Sequence, residues 1–170
     1  MASVQFLHLT PKDLTGEGTP PDVNIGVGLG LGIGFPELEV SAVLAAFLVP
    51  AAVALGTGLS ISLLLADDPL NSSPGKVAQF GVTVGPIVST STYDESTTGP
   101  LAGSTEVTAN VTTPATAGVL VTLAIAVPIA DMNSLAAPGW CLIRIRRNGT
   151  AAADTHRGRV VLLGADIGNT

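Results

Sequence analysis

Through the second half of the chain, hydrophobic positions recur at every other residue. That is the period of a strand lying half-buried in a sheet. Leu59, Ile61 and Leu63 alternate with Ser60 and Ser62. Ala78, Phe80, Val82 and Val84 share one face, and residues 107–112 alternate apolar with Thr and Asn. Residues 119–127 read as a returning strand. Near the C-terminus Cys141, Ile143 and Ile145 fall on one side, and Leu142, Arg144 and Arg146 on the other. A polar break over 148–158 precedes an apolar run at 159–167. The spacing predicts a β-hairpin over residues 140–167 with an arginine ladder on one face.

The first half is less regular. Residues 4–9 read as a short extended segment, and 11–21, rich in Gly, Pro and Thr, as a flexible arm or loop. In residues 25–34 every second residue is glycine, so Ile25, Val27, Leu29, Leu31 and Ile33 form an aliphatic face opposite bare backbone. Glycine weakens a strand, so the bare face is expected to admit another backbone closely. The run lacks the lysine of a phosphate loop and precedes no helix. Residues 38–49 fit either a helix or a buried strand ending at Val49-Pro50. Residues 67–75 read as a loop, 85–104 as a long exposed Ser/Thr-rich segment, and 131–139 as a connection with room for one helical turn. The sum is about eight short strands separated by turns. This predicts an all-β jelly-roll β-sandwich over 36–170, preceded by an extended N-terminal arm over 1–35. No internal repeat of 20–50 residues is present.

Composition narrows the picture. Only 12% of the 170 residues are charged and 46% are hydrophobic, where soluble domains average about 25% charged. Either a membrane protein or a subunit that buries much of its outside against copies of itself or a larger shell fits such a balance. Residues 40–66 carry no charge and are long enough to span a bilayer. However, Pro50 and Gly56-Thr57-Gly58 interrupt them, residues 59–63 alternate, and no Lys or Arg flanks them, so no membrane segment is expected. Residues 1–143 are net −9 and residues 144–170 net +3. An acidic body with one basic strand argues against nucleic acid as a partner. The arginines are expected to pair with acids such as Asp131 or Asp154, within the chain or across a subunit interface.

Candidate chemistry is sparse. His8 and His156 lie far apart in sequence, no HExxH or CxxC occurs, and there is no Gly-x-Ser-x-Gly elbow, so neither a metal site nor a hydrolase nucleophile is expected. The acid pairs Asp67-Asp68 and Asp94-Glu95 read as solvated loop residues. Cys141 has no disulfide partner in the chain and sits on an apolar face, so it reads as a buried thiol. The N-terminus has no basic-then-apolar leader, so the Asn-x-Ser/Thr matches at Asn71, Asn110 and Asn148 are not expected to carry glycans. With one Trp, one Tyr and four Phe, aromatic platforms for sugars or bases are scarce. No cofactor and no catalytic residue is expected.

From residue 50 onward the order of features resembles the jelly-roll structural proteins of tailed-bacteriophage virions, including capsid decoration (cement) proteins and related head or tail β-domains. The carrying residues are Val49-Pro50, the leucine-rich strand 59–65, Ser91-Thr92-Tyr93-Asp94, and Pro128-Ile129-Ala130-Asp131 leading to Pro138-Gly139. More specific are Arg144-Ile145-Arg146-Arg147, Asp154-Thr155 and Leu162-Leu163-Gly164. The family often has Gly-Asp where this chain has Gly139-Trp140, which puts one polar turn contact in doubt. The resemblance implies a non-catalytic homotrimer on the capsid surface, assembled in the host cytoplasm and bound to the major capsid protein. Its role would be to stabilise the shell. Ile25, Val27, Leu29, Leu31 and Ile33, with Arg144 and Arg146, are the candidate assembly contacts. The alternative is a receptor- or glycan-binding head on a phage tail or spike, with the loop around Tyr93–Glu95 as its tip. A cupin-type enzyme would need clustered histidines, which the chain lacks.

Overall fold

The structure, a computed structural model, describes residues 5–10, 15–17, 22–26, 30–88 and 99–170. Eleven strands are formed among them: β1 Gln5–Leu9, β2 Thr15–Glu17, β3 Asp22–Gly26, β4 Gly30–Phe35, β5 Val40–Val49, β6 Leu59–Asp67, β7 Val77–Pro86, β8 Val107–Thr112, β9 Leu120–Val127, β10 Gly139–Asn148 and β11 Val160–Asn169. One sheet runs β3-β4-β11-β6-β9, with β1 also on β11, and the other runs β2-β5-β10-β7-β8. Every pairing is antiparallel.

The last eight strands have the jelly-roll order. β4 pairs with β11, β5 with β10, β6 with β9 and β7 with β8. The pairs nest as in one long hairpin folded over on itself, so its successive pairs alternate between the two sheets. β10 and β11 are therefore not the hairpin that residues 140–167 predict. Their link crosses from one sheet to the other, and each strand lies between strands from elsewhere in the chain. Both are apolar along one face, and such strands bury more by facing each other across the core than by pairing alone in water.

Of residues 38–49, Val40–Val49 form strand β5, which pairs with β2 and β10, and Leu38 and Glu39 turn into it. Val40 to Ala66, the uncharged run, is divided between β5 and β6 in opposite sheets. Among the described residues no helix is long and apolar enough to cross a membrane. The N-terminal segment differs from the expected arm. β1, β3 and β4 extend one sheet and β2 edges the other, so residues 5–35 supply strands to both.

The two inner faces supply the core: Phe35, Val43, Ile61, Leu63, Phe80, Val82, Ile125, Ile143, Ile145 and Leu162 among others. Phe35 and Phe80 meet edge to face at 5.5 Å, a geometry worth about 0.5–1.5 kcal/mol beyond area burial. The register of β11 against β6 shifts between Leu162 and Gly164. The bulge lets Leu162, then Ala165 and Ile167, all point inward although their spacing changes parity.

At one end of the sandwich the core becomes polar. Arg147 follows Ile145 by two and so points inward, where it is fully buried. Its Nε and Nη2 donate to Asp154 at 3.0 and 3.1 Å. Nη2 also donates to His156 O at 2.6 Å, and Nη1 to Phe35 O, Pro36 O and Gly158 O. The Arg147–Asp154 pair is one of the expected ion pairs, and it ties the β4 exit to the β10–β11 link. Beside it, His156 Nε2 donates to Asp67 at 2.9 Å while Gly158 N–H donates to Nδ1. Asp67 and Asp68 are buried, contrary to the solvated reading. Asp67 also accepts from Ser73 N, and Asp68 caps Leu70 N and faces Arg159. Alternation along a strand could not reveal this, because the partners lie some ninety positions downstream.

Candidate functional site

The opposite end of the sandwich carries a cleft. Here β10 begins, β7 ends, and the β9–β10 connection folds over the core. Met132 and Leu135 plug the core end, both buried. Between them Asn133 (φ 46°) and Ser134 (φ 62°) take left-handed backbone conformations, which turn their side chains to solvent. Such a conformation disfavours non-glycine residues by about 1–2 kcal/mol each. The burial on either side holds it in place. Asn133 Nδ2 donates to Ala102 O at 2.8 Å, and its carboxamide packs on Gly103.

Residues 99–106 cross the outer face of the five-stranded sheet. Leu101 anchors them by burying against Leu44 and Leu142. Thr105 N–H donates to Asp131 O, joining this crossing to the β9–β10 connection. Between the two segments and the start of β10 lies a cleft of about 560 Å³. Pro86, Val88, Pro100, Asn133, Ser134 and Trp140 are among its lining residues, none of which is charged.

Trp140 is the cleft's main exposed apolar group, with 56% of its surface open. It stands on the outer face of β10, in step with Leu142, Arg144 and Arg146, and opposite exposed Leu48 on β5. A flat indole beside a carboxamide and a hydroxyl can stack on an apolar ring face while accepting and donating hydrogen bonds at its rim. Among the described residues the lining has no titratable side chain to act as a general acid or base.

The residues expected at assembly contacts fall in different places. Ile33 is core, 3% exposed, because its face of β4 is the inner one. It is corrected from contact to core residue. Ile25 and Leu31 are cross-strand partners in the β3–β4 ladder, and Val27 and Leu29 lie outside the described residues. A Cβ on Gly32 would overlap Val161 Cγ1 and press on Leu163. At Gly32 the space is thus taken first by side chains of β11, with the Leu162 carbonyl oxygen behind them. Arg144 and Arg146 stand side by side on the outer sheet face, but Glu106 on the crossing segment faces both, Arg146 at 2.5 Å and Arg144 at 3.9 Å. Among the described residues Glu106, rather than Asp131, is an acid that meets them. Tyr93, Asp94 and Glu95 lie outside the described residues.

The other candidate groups are structural. Burial pushes the Cys141 thiol well above its ordinary range, which leaves it protonated and unreactive. His8 and Gln5 meet Asp166 across the β1–β11 pair. Among the described residues no three His, Cys, Asp or Glu side chains gather as a metal site. Sequence reasoning passed over Trp140 because aromatics are scarce. The available signal was its parity, which places it outward with Leu142 and Arg144.

No protein-family model matches the chain, and no curated protein matches its sequence. Among solved structures it is similar to an exo-β-1,3-galactanase from Phanerochaete chrysosporium solved with galactose. The TM-score is 0.56 at 12% identity, over 98% of this chain and 29% of that one. The chain thus spans less than a third of the length of that enzyme. It is also similar to the CBM22-1 xylan-binding domain from Paenibacillus barcinonensis (TM-score 0.49, 12% identity, 98% and 95% of the two chains). A family 11 carbohydrate-binding module from Clostridium thermocellum, in complex with a β-1,3-1,4-mixed-linked tetrasaccharide, has a TM-score of 0.48 at 10% identity over 99% and 98%. At such identities the likeness is one of fold.

Proposed function

We propose that this chain is a non-catalytic glycan-binding head domain whose site is the Trp140 cleft. The observation that carries the reading is an exposed indole at an uncharged cleft, between the polar side chains Asn133 and Ser134 and a hydrophobic wall. Exposed tryptophan is costly in water and is the side chain best suited to stack on the C–H face of a pyranose ring. The uncharged lining favours a neutral sugar over a sialic or uronic acid, whose carboxylate would find no cation there. The galactanase of similar fold was solved with galactose, so galactose-containing neutral glycans are the first ligands to test.

The test is a panel of neutral and acidic oligosaccharides measured by calorimetry against the native chain and Trp140→Ala. Binding of neutral glycans, lost by ten-fold or more in Trp140→Ala at unchanged melting temperature, is the expected result. No binding across the panel, or binding that Trp140→Ala leaves intact, overturns the reading.

The second reading is the capsid decoration protein, non-catalytic, self-associating and bound to the major capsid protein on the virion surface. Its support is the resemblance around Arg144-Ile145-Arg146-Arg147, Asp154-Thr155 and Leu162-Leu163-Gly164, together with the low charge of the chain. Much of that motif holds the fold together: Arg147 and Asp154 pair in the core, Thr155 receives Val77 N–H, and Gly164 lies against His8 and Leu9. The motif therefore supports a shared architecture more directly than a shared partner. Co-sedimentation with phage heads that lack decoration separates the two readings.

A further inference from the structure

We propose that copies of this chain associate along β9. Among the described residues this strand ends the six-stranded sheet and pairs on one side only, with β6. Its eight residues give an edge of roughly 26 Å, along which alternate N–H and C=O groups point outward. Natural sheets block such edges with charge, proline, a bulge or brevity. The other edge strands described are shorter: β2 has three residues, β1 and β3 five each, with a register shift in β1, and β8 six. β9 has none of those blocking devices. Leu120-Val121-Thr122-Leu123-Ala124-Ile125-Ala126-Val127 contains no charge, proline or glycine, and its register with β6 runs unbroken from Leu120 to Val127.

The occupant is a second copy of the chain. At a net charge of −6, like chains repel unless they meet where charge is absent. Residues 107–130 are such a surface. They contain no charged side chain and include both β8 and β9, which lie side by side across the two sheets. Val119 and Leu120 are nearly half exposed, and Thr122, Ala124 and Ala126 present a flat, small-residue outer face. An antiparallel two-fold that keeps core faces aligned sets residues of like parity opposite each other, for instance Ala124 against Ala124. A lysine at that position would place two cations against one another.

Light scattering over a concentration series, with melting temperatures as the folding control, tests this on the full chain. The native protein is expected at twice 17.0 kDa, the mass of a two-fold dimer. Ala124→Lys and Thr122→Lys, both at exposed sites, are expected at 17.0 kDa with unchanged melting temperature. Amide exchange in the native chain should slow across residues 120–127 as concentration rises. A native chain that stays monomeric throughout, or an oligomer that survives both lysine variants with no change in β9 exchange, overturns the proposal. The outcome is independent of glycan binding at Trp140, which lies on the other sheet.

Discussion

Replacing Arg147 with methionine should be among the most damaging single changes available in this protein. The guanidinium is fully buried and makes six hydrogen bonds, two to Asp154 and four to the main-chain oxygens of Phe35, Pro36, His156 and Gly158. Methionine fills much of the same volume, so the effect isolates the polar interactions rather than a cavity. What remains is a buried Asp154 carboxylate that keeps only the N–H groups of Gln79 and His156, at 3.1 Å each. Breaking a buried pair by removing one partner costs about 3–5 kcal/mol. The two retained donors place the expected loss near the lower bound, about 3 kcal/mol. For a chain of this size 1 kcal/mol shifts the melting temperature by about 2–4 °C, so Arg147→Met should melt about 6–12 °C lower. Thermal and urea unfolding followed by circular dichroism measure it. Asp154→Asn and the double variant complete a cycle in which the second substitution should cost at least about 1 kcal/mol less once the first is present. A shift under about 3 °C, or costs that simply add, would refute the view that this network locks the β4 exit to the β10–β11 link.

Two further predictions concern the core and a turn. Cys141 should resist alkylation in the folded protein and react once the chain unfolds, read by mass spectrometry after iodoacetamide with and without urea. Its thiol is raised by burial, so above the ordinary value of 9.0 the unfolded chain sheds a proton that the folded chain keeps. Stability from this group is complete below that pH and should fall above it, by up to about 1.4 kcal/mol per pH unit. Cys141→Ala should flatten that slope in urea titrations, and an unchanged slope would contradict the assignment. Gly58 has φ +112° and a Cβ there would overlap the Val127 carbonyl, so Gly58→Ala should cost about 1–3 kcal/mol. A urea midpoint equal to that of the native chain would show that the turn relaxes.

Legibility followed the range of the interactions involved. The inward set Cys141, Ile143 and Ile145, like the face of Ala78, Phe80, Val82 and Val84, was readable because alternation is a local rule that burial respects. The same rule placed Arg147 inward and Trp140 outward, although neither consequence follows from parity alone. One needed Asp154, and the other needed a cleft built from residues 86–88, 99–102 and 133–139. The candidate contact Ile33 failed for the same reason. A glycine-alternating strand has one aliphatic face, and only the neighbouring β11 decides that this face is the inner one.

The amino-acid sequence by itself determined that the chain is all-β, where most strands lie, and which face of several of them is apolar. These follow from a two-residue period and from turn chemistry, both local. The tertiary structure alone decided that β10 and β11 face each other from opposite sheets, that Asp67 and His156 are buried partners, that Glu106 shields Arg144 and Arg146, and that β9, among the described residues, is paired on one side only. Each depends on which distant strands meet, a choice set by the summed burial of many residues rather than by any local pattern.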